Sequence, residues 1–206
     1  MKLYDFPYSP NCRKVRAVAY ELGIPLEIQH VDLLRGGSRT PEHLRKNPNG
    51  RVPVLEDDGL VLWESTAIIR YLARGSALLP ESPRVLAEVD RWLSWQLAHL
   101  GPAMSKVAFE KIVKRLTKRG EQDAVRIAEG SAEFAALSGI LDGALGDREY
   151  LAGPLTVADF ALASHYSLAA AAGLSVEGYP HVQRWLARVS ARDSMKRALA
   201  DAQAVL

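Results

Sequence analysis

Apolar positions in the first 80 residues change period several times. Lys2–Phe6 is a short strand candidate. In Asn11–Leu22 the apolar and small residues Cys12, Val15, Ala19 and Leu22 recur at helical spacing. Gly23 and Pro25 then stop that helix. Leu26–Asp32 alternates and reads as a second strand. A short helix is predicted near Pro41–Lys46. Val52–Leu55 and Leu60–Leu62 are two short strands around Asp57-Asp58-Gly59, a hairpin signal. Ser65–Arg74 is helical again, with Ile68, Ile69 and Leu72 apolar. The predicted order is βαβαββα, an α/β sandwich.

Gly75–Arg84 contains Pro80 and Pro83 and reads as a linker, after which no strand pattern recurs. Val85–Arg119 is one long or kinked helical stretch, with Gly101-Pro102 as the expected bend. Glu121–Leu145, Thr156–Ala171, Pro180–Ser190 and Asp193–Ala204 complete an all-α half. The predicted organisation is residues 1–76, a linker at 77–84, and a helical domain over 85–206. Within the latter, Thr156 is placed to cap a helix whose third residue, Asp159, can return a bond to the cap's own N–H. Leu155 and Phe160 flank them as a hydrophobic staple.

Composition narrows the function classes. Among 206 residues, 26 are Lys or Arg and 24 are Asp or Glu. The charges are spread evenly: 11 basic and 9 acidic groups up to residue 80, 15 of each beyond. That argues against a nucleic-acid-binding field. The longest apolar stretch, Ala161–Leu174, is interrupted by His165 and Ser167 and is short of the roughly 18–20 residues that span a membrane. The N-terminus has no apolar core of a secretory signal. The single cysteine, Cys12, forbids an internal disulfide and suits a reducing compartment. His30, His43, His99, His165 and His181 are scattered, and no metal site is assigned. No membrane, nucleic-acid or metal partner is expected.

Three stretches carry candidate chemistry. In Tyr8-Ser9-Pro10-Asn11-Cys12, Ser9 stands where a strand meets a helix. Free N–H groups there favour an anion such as a thiolate, and the Ser9 hydroxyl can donate to it. Ser9 can equally be an N-cap followed by proline. The spacing also mimics C-P-x-C with serine in the nucleophile's place. Cys12 then takes the second, buried place or a purely structural one. In Asn47-Pro48-Asn49-Gly50-Arg51-Val52-Pro53, a cis Val52–Pro53 bond would turn the Val52 backbone outward to pair with a peptide. In Trp63-Glu64-Ser65-Thr66, Ser65 can hold a carboxylate at a helix start and Glu64 an ammonium, or the pair can be an ordinary helix cap.

Taken together these stretches resemble the cytosolic glutathione transferase family. R-V-P-V-L and E-S-x-A-I lie in the first half, and L-x-G-P-L-T-V-A-D-F lies in the second. The resemblance covers essentially the whole chain and looks most like bacterial serine- or cysteine-type members. It implies a thioredoxin-like N-terminal domain and a helical C-terminal domain. Val52 and cis Pro53 would hold the cysteinyl part of glutathione, Glu64 and Ser65 its γ-glutamyl end, and Arg51 and Arg39 its glycine carboxylate. The family often has glutamine and lysine at these two arginine positions. Ser9 would stabilise the glutathione thiolate, with Cys12 and Tyr8 as alternatives. The thiolate would attack a hydrophobic electrophile held between the domains and lined by Phe6, Tyr8, Met104 and Val107. Glutathione is then a co-substrate, and no metal is needed. The resemblance also implies a cytoplasmic homodimer working in detoxification, with peroxide reduction as a further activity. Two other readings of the same chain are a non-catalytic binding module and a Cys12-dependent thiol transferase.

Overall fold

The computed structural model describes residues 1–203. It forms two units, one made of Met1–Pro80 with the stretch from Ser190 onward, the other of Glu81–Val189.

The first unit is built on a four-stranded sheet of order β2-β1-β3-β4, with β1 Lys2–Asp5, β2 Glu27–His30, β3 Val54–Asp57 and β4 Leu60–Trp63. β1 is parallel to β2 and antiparallel to β3, and β3–β4 is an antiparallel hairpin. Its turn uses Asp58 (φ 43°) and Gly59 (φ 83°). Two left-handed residues are what an Asp-Gly turn supplies to match the strand twist. Helices α1 (Pro10–Glu21), α2 (Pro41–Lys46) and α3 (Ser65–Leu72) complete the βαβαββα order. Leu3, Leu55, Val15, Val18, Ile68 and Ile69 are fully buried. Leu26–Asp32 differs from its expected two-faced strand. β2 is exposed at all four residues, Ile28 at 42%, because it is an edge strand and its alternation marks no core face.

The last helix, α10 (Asp193–Gln203), packs on α1. The sequence pattern grouped it with the helical half, which reads periodicity but not partners. It buries Met195 and Ala198 fully, and polar contacts add to that packing. Arg192 and Ser194 hold Glu21, Tyr20 donates to Asp201, and the Arg197 guanidinium lies 3.9 Å from the centre of the Tyr20 ring. Ala204, its expected last residue, and the two residues after it lie outside the described residues.

The second unit is all helical. A nearly continuous stretch runs through α4 (Pro83–Trp95), α5 (Gly101–Ala108) and α6 (Lys114–Thr117), joined by π-helical turns at Gln96–Leu100 and Phe109–Val113. The first π turn ends where a bend was expected. Gly101 donates to the Gln96 carbonyl, and any side chain there would sit 3.0 Å from that oxygen. α7 is Ala124–Leu145, capped by Asp123, whose carboxylate accepts from the Arg126 N–H at 3.0 Å. α8 is Val157–Tyr166 and α9 is Pro180–Ser190. α8 stops short of the predicted Ala171. Helix propensity extended it through the alanines, but the chain turns after Ser167 and reaches Gly173 at φ 67°. The Thr156–Asp159 device is present: the Asp159 carboxylate accepts the Thr156 N–H at 2.9 Å. None of the described helices is long and apolar enough to cross a membrane.

Candidate functional site

The turn Phe6–Ser9 carries the chain from β1 into α1 and is closed by the Ser9 N–H on the Phe6 carbonyl at 2.9 Å. Ser9 is the N-cap of α1, and its Oγ accepts from the Cys12 N–H at 3.4 Å. That bond uses a lone pair and leaves the hydroxyl proton for another acceptor. Capping and donating are therefore compatible roles. No acidic residue stands in the first turn of α1, so its partial positive charge is not already neutralised.

Cys12 is fully buried, clustered with Val31 and Val52, and its Sγ accepts from the Phe6 N–H at 3.4 Å. Burial pushes its thiol well above the ordinary range, and the nearby Asp5 charge adds to that. A thiol so placed is inert.

α3 begins close by. Ser65, 6% exposed, donates to Asn11 Oδ1 at 3.2 Å. Asn11 is the second residue of α1, so this bond joins two helix N-termini. Glu64 precedes α3 at φ 71° and makes no cap bond with its side chain. A cleft of about 60 Å³ lies here, lined by Asn11, Asn47, Arg51, Val52, Pro53, Glu64 and Ser65. The Val52–Pro53 bond is cis. Neither the N–H nor the carbonyl of Val52 meets a hydrogen-bond partner among the described residues. The neighbouring Arg51 carbonyl is held by His43 Nε2 and Asn47 Nδ2, each at 2.9 Å.

Five residues singled out in the sequence thus line one cleft: Arg51, Val52, Pro53, Glu64 and Ser65. Arg39 is not among the lining residues. Its guanidinium lies against Gly50, where an added Cβ would come within 2.6 Å of Nη1. The Phe6 and Tyr8 rings pack with centroids 5.4 Å apart and planes tilted by 59°, and the Tyr8 hydroxyl is buried with no hydrogen-bond partner among the described residues. Met104 and Val107 are 3% and 0% exposed inside the second unit, where Val107 packs against Gly130 of α7.

Several contributors were not singled out. Asn11 and Asn47 were visible inside the quoted motifs, but asparagine there reads as turn chemistry. His43 was one of five scattered histidines. Lys14 had no signal at all. It is fully buried, donates to Thr66 Oγ1 at 3.1 Å, and burial lowers it to about 7 against the attraction of Glu64.

The geometry describes a site with two converging helix N-termini, an arginine and an extended backbone edge. This suits an elongated anionic peptide. Comparison with known proteins agrees. Residues 3–78 match the family model described as the glutathione S-transferase N-terminal domain, and residues 100–193 match the C-terminal domain. Glutathione S-transferase 3 of Zea mays is 34% identical, covering 97% of this chain and 93% of its own. The theta class glutathione S-transferase of Xanthomonas axonopodis pv. citri, solved with glutathione bound, is 32% identical with a TM-score of 0.88, over 96% of each chain. Glutathione S-transferase I from maize, solved with an atrazine glutathione conjugate, is 28% identical with a TM-score of 0.89, over 98% of this chain and 97% of that one. Both halves, in order and over nearly the full length, match one set of proteins: the chain belongs to the glutathione S-transferase family.

Proposed function

We propose that this protein is a glutathione transferase that ionises the glutathione thiol with the Ser9 hydroxyl and conjugates it to a hydrophobic electrophile. The observation that carries this reading is the cleft between the starts of α1 and α3. Glutathione lies along Val52, pairing its cysteinyl backbone with the unpartnered N–H and carbonyl. The γ-glutamyl carboxylate takes the N–H groups at the start of α3 and the Ser65 hydroxyl, which exchanges Asn11 for it. Glu64 receives the ammonium. Arg51 takes the glycine carboxylate, and Arg39, in the turn before α2, is a second cation whose guanidinium lies against Gly50. The sulfur then lies at the start of α1.

A free thiol near pKa 8.5 is only a few per cent ionised at neutral pH. A hydrogen bond to a charged acceptor contributes about 1.5–3 kcal/mol, and each pKa unit is about 1.4 kcal/mol. One donation from Ser9 and the α1 dipole are therefore enough to make the thiolate the main species at pH 7. Ser9 forms no covalent bond. The thiolate attacks the electrophilic carbon, whose leaving group departs with its electron pair. The Phe6–Tyr8 pair supplies an apolar surface beside the sulfur, and the same thiolate would serve peroxide reduction. The buried, high-pKa Cys12 does not favour a thiol transferase. We also propose the homodimer usual in this family. In support, the edge strand β4 exposes Leu60, Val61 and Trp63 at 41%, 42% and 38%, an apolar edge that a second copy would cover.

The test is conjugation of glutathione to a chloronitrobenzene, with thiolate absorbance followed in parallel, for the native protein, Ser9→Ala and Cys12→Ala. Loss of turnover and of the thiolate band in Ser9→Ala alone is the expected result. Undiminished activity in Ser9→Ala refutes the mechanism. Glutathione binding without turnover in any form leaves two readings, a different substrate class or a binding module.

A further inference from the structure

Arg16 sits in the second turn of α1 and is 1% exposed. Its guanidinium is engaged on two sides. Toward the start of the chain, Nη1 donates to Asp5 Oδ1 at 2.5 Å and Nη2 to the Pro7 carbonyl at 3.0 Å. Toward α10, Nη2 donates to the Ala198 carbonyl at 3.1 Å, and Nε lies 3.2 Å from Asp201 Oδ2. Asp5 and Pro7 flank Phe6 at the entry to the turn that ends in Ser9. A charge partner for Asp5 alone would need one edge of the guanidinium. The remaining bonds instead tie a backbone carbonyl of the turn to a helix about 190 residues away in the chain. Buried ion pairs contribute little net stability, but the planar fork of arginine holds its partners in fixed geometry. The titratable groups around it are Asp5 on β1, Cys12, Arg13 and Tyr20 on α1, and Asp201 on α10.

We propose that Arg16 is a positioning residue: it braces the Phe6–Ser9 turn against α10 and so sets where the Ser9 hydroxyl meets the glutathione sulfur. This rests on the reading of Ser9 as the thiolate donor. The last helix of the chain thereby supports the reacting end of the site, although it contributes no residue to the cleft. A small misplacement of a donor is costly because the hydrogen bond weakens steeply with distance and angle.

The test follows the pH midpoint of thiolate formation by bound glutathione, with kcat and KM, in Arg16→Lys, Asp201→Asn, Ser9→Ala and Ser9→Ala/Arg16→Lys. Lysine keeps the charge but cannot reach both sides. Arg16→Lys is expected to raise the midpoint by about one unit, so that kcat at a pH below it falls about tenfold and recovers at high pH. The KM for glutathione should change less than about twofold, because Arg16 does not line the cleft. Asp201→Asn, at a side chain 34% exposed, should shift the midpoint less and in the same direction. In the Ser9→Ala background, Arg16→Lys should add no further shift. A loss that is equal at every pH, or an equal shift with Ser9 absent, overturns the proposal. Should Arg16→Lys fail to fold, the Asp201→Asn midpoint decides. An unmoved midpoint in Ser9→Ala overturns the Ser9 reading and this proposal with it. A moved midpoint there, with unmoved ones in Arg16→Lys and Asp201→Asn, overturns this proposal alone.

Discussion

Asp159 is the residue on which the helical unit should be most sensitive. It is fully buried, and its carboxylate is met by four donors. Oδ1 accepts from the Leu151 N–H at 3.0 Å and from Trp185 Nε1 at 2.9 Å. Oδ2 accepts from the Thr156 N–H at 2.9 Å and the Thr156 hydroxyl at 3.1 Å. One side chain thus joins the start of α8, the loop before it and α9. Asp159→Ala strands the two backbone N–H groups and the indole N–H. At about 1–3 kcal/mol for each buried unsatisfied donor, partly offset by removing a buried charge, the expected loss is about 4 kcal/mol or more. Asp159→Asn keeps an oxygen for Leu151 and Trp185 but sets an NH2 against the Thr156 N–H. The Thr156 hydroxyl can turn to accept from it, so the expected loss is about 1–3 kcal/mol. For a chain of this size, about 2–4 °C in Tm accompanies each kcal/mol. Thermal unfolding followed by calorimetry and by tryptophan fluorescence should rank native above Asn above Ala. Burial raises the Asp159 pKa above its unfolded value, so the folded state holds the proton more tightly. Its contribution is then greatest at low pH and declines as pH rises through that window, so the gap between native protein and Asp159→Asn should widen on acidification. An Asp159→Ala protein within about 1 kcal/mol of native, or more stable than Asp159→Asn, would refute the reasoning.

Other outcomes follow from single residues. Lys14, lowered to about 7 by burial, binds its proton more weakly in the folded state than in the unfolded state. Stability should therefore rise with pH from about 7 toward 10.5, by about 2 kcal/mol between pH 7 and 9, and Lys14→Met should lack that rise when Tm is compared across pH. Cys12→Ser should retain glutathione conjugation, and the native thiol should form no mixed disulfide with oxidised glutathione by mass spectrometry until the protein unfolds. Gly50 adopts φ 59°, and an added Cβ would lie 3.0 Å from the Ser38 carbonyl. Gly50→Ala should thus cost about 1–2 kcal/mol in chemical denaturation and raise the KM for glutathione by shifting Arg51.

The order of elements was legible because each rests on a local signal. Gly23, the Asp58-Gly59 turn, the prolines opening α1 and α2, and the Thr156–Asp159 pair all act within a few residues of themselves. Most of the cleft was legible too, since Arg51 to Pro53 and Glu64 to Ser65 are contiguous runs that present backbone groups. The local pattern misled where it stood in for a partner. Ile28 alternates like a core residue yet lies on an edge strand, and the alanines after Ser167 favour helix yet form turns.

By itself, the sequence determined the secondary elements, the family and the residue types available to grip a peptide, because these depend on short-range periodicity and motif spacing. Only the tertiary structure decided which groups meet. It bonded Asn11 to Ser65, sealed Cys12 and Lys14 from water, and carried α10 back to Arg16. Burial and long-range pairing depend on what packs from elsewhere in the chain, and no window of neighbouring residues contains that information.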